Sequence, residues 1–73
     1  MKKGQKIKLY FHCAGVVSEE ERVVKKFNKD FVWTDETIHP DSGGEELERF
    51  DRKTGKCVND NTMFGAKRRI DPI

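Results

Sequence analysis

The sequence predicts an all-β, mostly strand protein: one small barrel of five or six short strands. Three observations carry this. Residues 7–13 alternate between apolar and polar side chains. Turn-forming residues recur at intervals of roughly ten, the spacing of short strands. The chain is short, with seventeen Leu, Ile, Val or Phe among 73 residues, so one small core is all it can bury. Closing the sheet would also remove exposed edges that invite aggregation.

The first strand places Ile7, Leu9, Phe11 and Cys13 on one face and Lys8, Tyr10 and His12 on the other. Gly15 ends or bends it. Residues 18–28 carry conflicting signals. Ser18 followed by Glu21 matches a capping box, Glu19 to Glu21 suit a helix start, and Lys25 and Lys26 suit its end. A helix here would make the protein α+β. Against it, Val23, Val24 and Phe27 are β-formers with a thin apolar stripe, and residues 31–34 are β-branched and aromatic. Asn28, Lys29 and Asp30 form a polar connection of hairpin length. Two strands joined by that turn are therefore the favoured reading.

His39, Pro40, Asp41, Ser42, Gly43 and Gly44 form a turn-rich segment, and acid extends it from Glu45 to Glu48. A mobile acidic loop is expected over residues 39–46. Residues 47–58 read as a tight hairpin turning at Lys53-Thr54-Gly55-Lys56. Asn59, Asp60 and Asn61 are a further turn, Met63 and Phe64 a buried plug, and Gly65 restarts the chain before a last strand over residues 67–70. Pro72 fits only an edge or an end. The expected core is Ile7, Leu9, Phe11, Val24, Val32, Phe50, Val58, Phe64 and Ile70, in a single domain over residues 1–73.

Lys and Arg number 15 against 13 Asp and Glu, so net charge alone points to no partner. The stretch least unlike a membrane or signal segment, residues 7–17, is interrupted by Lys8 and His12 and falls short of the roughly 20 apolar residues a span needs. The expectation is a soluble, cytoplasmic protein with no membrane partner. Cys13 and Cys57 are the only thiols and read as reduced, Cys13 as a small buried hydrophobe.

Chemistry is sparse. A metal site would need His12, Cys13, His39 and Cys57, but structural zinc ligands usually come in close pairs, and neighbouring strand residues point to opposite faces. Cys57 and His39 have no spacing that makes them a nucleophile and base. The acidic runs read as solvated faces with no enclosed pocket to shift a pKa. Lys53-Thr54-Gly55-Lys56 lacks the spaced glycines of a phosphate loop. No catalytic residue, metal or cofactor is expected, and the chain reads as a non-enzyme.

The stretch FDRKTGKCVNDNT (residues 50–62), followed by GAKRRI (residues 65–70), resembles small uncharacterised proteins of phage and prophage genomes. In these, a lysine-rich start with an alternating first strand precedes an F-D-R-K-T-G hairpin and a basic final strand. The resemblance covers both ends of the chain better than its middle. It implies a Src-homology-3-like small barrel, and it carries no activity and no functional residue.

Two binding surfaces are candidates. Lys2, Lys3, Lys6 and Lys8 at one end and Lys67, Arg68 and Arg69 at the other would merge if the first and last strands are neighbours, with Tyr10 available for base stacking. Phe31 and Trp33 share a strand face opposite Val32. If exposed, they form an aromatic patch of the kind that dominates protein interfaces; if buried, Trp33 is simply the largest core residue. A net charge of +2 is a weak footprint for phosphate binding, so a protein partner is favoured over nucleic acid. The resemblance adds to this, because small phage proteins often act by binding a host protein. Oligomeric state is not readable.

Overall fold

The computed structural model describes residues 1–61 and 66–73. Within them the chain forms β1 (Lys6–Cys13), β2 (Val16–Phe27), β3 (Phe31–Ile38), β4 (Glu46–Asp51) and β5 (Lys67–Ile70). All pair antiparallel in one curled sheet of order β4-β3-β2-β1-β5. There is no helix among the described residues. The all-β barrel expectation holds, and the α+β alternative with a helix at 18–28 is overturned.

Strand wins over helix there because of what its neighbours offer. Glu19 and Glu21 stand opposite Tyr10 and Lys8 on β1, and they form ion pairs with Lys8 and Lys6. Val24 enters the core at 1% exposure. A capping box and dipole contacts are worth about 1 kcal/mol each. Two rows of ladder hydrogen bonds and a buried valine outweigh them.

The β1–β2 connection is a two-residue turn. Ala14 (φ 52°) and Gly15 (φ 78°) both take positive φ, as a type I′ hairpin turn requires, leaving Cys13 opposite Val16. The twelve residues of β2 serve two partners. Its first part pairs with β1 and its last part with β3, and a register shift between Val24 and Lys26 marks where it bends. That bend curls the sheet.

Closure comes from the segment after β4. Cys57 bridges to Phe50 and Lys56 bridges to Arg69, joining the two outer strands. The Ile70 amide donates to the Gly55 carbonyl at 2.7 Å, and the Val58 amide to Arg49 at 2.9 Å. Side chains complete the seam. Asn59 Oδ1 accepts the Arg49 amide and Asn59 Nδ2 donates to the Leu47 carbonyl. Asp60 Oδ2 accepts the Arg68 amide at 2.8 Å. The edges of β4 and β5 along this seam are thereby occupied, not offered to a partner strand.

The core takes one residue from each strand: Leu9, Val24, Val32, Phe50 and Ile70. Ile7 and Phe11 are only half-buried, and Val58 is 43% exposed. Ile7 packs on the core from its rim. Val58 faces out because its neighbour Cys57 faces the core and adjacent extended residues alternate. The expected core residue Phe64, and the plug of Met63 and Phe64 restarted by Gly65, lie outside the described residues. Pro40 and Ile38 are buried where the 39–45 turn begins, and Glu46 already belongs to β4.

Gly55 has φ +78°, and a Cβ there would collide with the Ile70 carbonyl oxygen. Gly55→Ala is expected to lower stability by about 2 to 4 kcal/mol, through strain and loss of the closing hydrogen bond. Ala14→Asn, better suited to positive φ, should raise it by about 0.5 to 1 kcal/mol. Urea unfolding midpoints check both.

Candidate functional site

Above the apolar layer lies a second layer, again with one residue per strand. Phe11, Arg22, Thr34, Glu48 and Arg68 each stand two positions from Leu9, Val24, Val32, Phe50 and Ile70. A period of two puts them on the same inward face. Glu48 and Thr34 are fully buried.

The charged members converge on Glu48. Its Oε1 accepts the Thr34 hydroxyl at 2.8 Å and Arg22 Nε at 3.0 Å. Arg68 Nε stands 3.1 Å from its Oε2, outside directed hydrogen-bond geometry, so that contact is an ion pair held by charge. Arg22 also reaches Glu20 at 3.0 Å, and Arg68 reaches Asp60. The Arg68 guanidinium lies 5.4 Å from the Phe11 ring centre. Burial pushes the Glu48 carboxyl above its ordinary value, while the Thr34 hydroxyl and the two guanidiniums pull it back. Glu48 therefore does not belong to a solvated acidic face, as the run Glu45 to Glu48 suggests.

The charged groups of this cluster are engaged with one another. Cys57 is half-buried and free, and burial pushes its thiol up to about 11. It stays protonated near neutrality, unlike an activated nucleophile. Cys13 is also free and half-buried, not fully buried. Among the described residues no three of His, Cys, Asp and Glu converge as metal ligands would. No helix among them is long and apolar enough to cross a membrane.

The outer surface carries the residues singled out in the sequence. Pairing of β1 with β5 does bring the termini together: Tyr10 faces Arg69 and His12 faces Lys67. Arg69 covers the Tyr10 ring at 4.3 Å and donates to His12 Nε2 at 3.0 Å. Tyr10 donates its hydroxyl to Asp71. Lys6 and Lys8 are drawn to Glu21 and Glu19, and Arg68 turns inward to Glu48 and Asp60. Lys3 is exposed at the start of the chain. Lys67, Arg69 and Lys56 line a groove along the seam with His12 and Cys57.

Phe31 and Trp33 sit together on the outer side of β3, both half-buried, edge to face with centroids 6.1 Å apart. The bulge in β2 sets Lys26 opposite Trp33, and β4 sets Arg49 opposite it on the other side. Lys26 Nζ lies 4.7 Å from the Trp33 centroid, and the Arg49 guanidinium 4.9 Å from that of Phe31. Arg49 is a functional candidate that the sequence reading missed, and strand register brings Lys26 to the same rings from the other side.

No protein-family model, curated protein or solved structure matches the chain. Fold and surface together define a class: a small Src-homology-3-like β-barrel with a charged inner layer and an aromatic, cation-bearing outer face.

Because burial raises the Glu48 pKa, the folded state binds the proton more tightly than the unfolded chain. Stability from this group is full below the unfolded value near 4.5 and falls as pH rises through the folded value. Relative to Glu48→Gln, the wild type is thus expected to lose stability across that window and to level off above it. Urea midpoints measured against pH check the sign. Glu48→Ala leaves Arg22 and Arg68 without their shared counter-charge and should cost about 3 to 5 kcal/mol.

Proposed function

We propose that the protein is a small non-catalytic binding module of the phage and prophage type that recognises another protein through the outer face of β3, with Phe31 and Trp33 as anchors. What supports this reading is one observation above all: Phe31 and Trp33 are adjacent, half-buried and clear of the paired lysines on β1. Aromatic residues beside arginine are the composition of interface hot spots. The inner charged cluster is held by its own ion pairs and contributes rigidity to the face above it, not a reaction.

A second reading has its own observation. Lys67, Arg69 and Lys56 gather beside Tyr10 and His12 along the seam, a surface that suits a phosphate backbone. It is weakened by the acids interleaved with it, since Lys6, Lys8 and Arg69 each have a carboxylate within 4 Å.

The two readings separate by capture. The full chain, immobilised, is exposed to lysate of its source organism with and without nuclease treatment. Retained protein that is lost with Trp33→Ala but not with Lys67→Gln/Arg69→Gln is the expected result. Retention that nuclease or the Lys67/Arg69 variant abolishes would favour nucleic acid and overturn the protein reading. Because Trp33 is half-buried, Trp33→Ala should cost about 1 to 2 kcal/mol, less than the 3 to 5 of a core tryptophan, and the variant should still fold.

A further inference from the structure

Two cations on the outer face of β3 are held against one aromatic pair, and that arrangement points to a partner's chemistry. Lys6, Lys8, Arg22, Arg68 and Arg69 each meet at least one carboxylate. Lys26 and Arg49 meet none within 4 Å among the described residues, as is also true of Lys25, Lys29, Lys56 and Lys67; the ring contacts of Lys26 and Arg49 set them apart. Both are instead laid over aromatic rings, and both come within 6.0 Å of the Trp33 centroid from opposite sides. Arg49 Nε is buried with no hydrogen-bond partner. The carboxylate in register with Phe31, that of Asp51, has its Oδ1 occupied by the amides of Lys53 and Thr54. Two cations with no carboxylate within 4 Å among the described residues thus flank one aromatic pair.

Resting on the protein-binding reading, we propose that this face takes an acidic, extended protein segment. Lys26, Trp33 and Arg49 occupy one row across β2, β3 and β4. Neighbouring strands lie about 4.8 Å apart, so the row spans roughly 10 Å. An extended segment carries same-side residues about 7 Å apart. Carboxylates at alternate positions therefore reach both cations, whose side chains lean inward over Trp33. Apolar residues beside them would rest on the exposed parts of Phe31 and Trp33. The cations are preordered on the rings, which lowers the entropy lost when a carboxylate binds. Stacked nucleobases fit the same row less well, because they compete for ring faces that Lys26 and Arg49 already cover.

Trp33 is the single tryptophan of the chain, so its fluorescence reports on this face directly. The full-length protein is titrated with three probes: a twelve-residue peptide alternating Glu or Asp with Leu, its twin with Lys replacing every acid, and an oligothymidylate. The acidic peptide is expected to shift Trp33 emission saturably, with affinity falling as salt is raised. Lys26→Glu and Arg49→Gln, each confirmed as folded by its amide spectrum, should weaken it at least about tenfold. Four results would overturn the inference. They are no response to the acidic peptide, equal response to the lysine twin, unchanged affinity in both variants, or saturation by oligothymidylate alone. If the acidic peptide fails while lysate capture remains sensitive to Trp33→Ala, the binding module stands and only the acidic chemistry of its partner falls.

Discussion

One buried carboxylate ties the barrel together. Glu48 on β4 is fully buried and is met by Thr34 from β3, Arg22 from β2 and Arg68 from β5. Arg68 carries the network on to Asp60 in the closing segment, whose other carboxylate oxygen binds the β5 backbone. A carboxylate removed from water is costly unless its charge and its lone pairs are answered. Only the closed arrangement brings both guanidiniums within reach. An open sheet with β4 and β5 apart would leave Glu48 with Thr34 and Arg22 but without Arg68, so the cluster favours closure even where it adds little net stability.

That constraint also divides the surface. Arg22 and Arg68 are committed inward, and Lys6 and Lys8 are answered by Glu21 and Glu19. The β3 face differs because the bulge after Val24 shifts Lys26 over Trp33. Arg49 arrives beside the same rings because its strand neighbours Glu48 and Phe50 both point inward. Inner and outer chemistry of β4 are thus linked by simple alternation: the residue between two buried ones is the one that reaches the outer aromatic face.

Much of the fold is legible in the sequence. The alternation of Ile7 to Cys13 and the breaks at Gly15 and residues 28–30 mark the first three strands. The Lys53 to Lys56 turn marks the hairpin that closes the barrel. Residues 18–28 are harder because their local signals conflict, while the ladder partners that decide for a strand lie elsewhere in the chain. The inner layer was readable in part, since Arg22, Glu48 and Arg68 each precede an expected core residue by two positions. Charge argues for solvent at such positions. Only the non-local meeting of all three, which no spacing announces, makes burial tolerable. Phe31 and Trp33 are visible as one face, whereas their cations depend on strand register set by a bulge.

Everything here rests on Glu48 and Arg68 acting as a coupled pair across the barrel seam, and a double-mutant cycle with Glu48→Gln and Arg68→Met measures that coupling. Residues joined in one buried network show interaction energies of about 0.5 to 3 kcal/mol. A coupling of about 1 to 3 kcal/mol is predicted for this pair, with the double variant more stable than the sum of the single losses implies. Additivity within about 0.5 kcal/mol would contradict it and would mean that the barrel closes on its apolar layer and backbone seam alone.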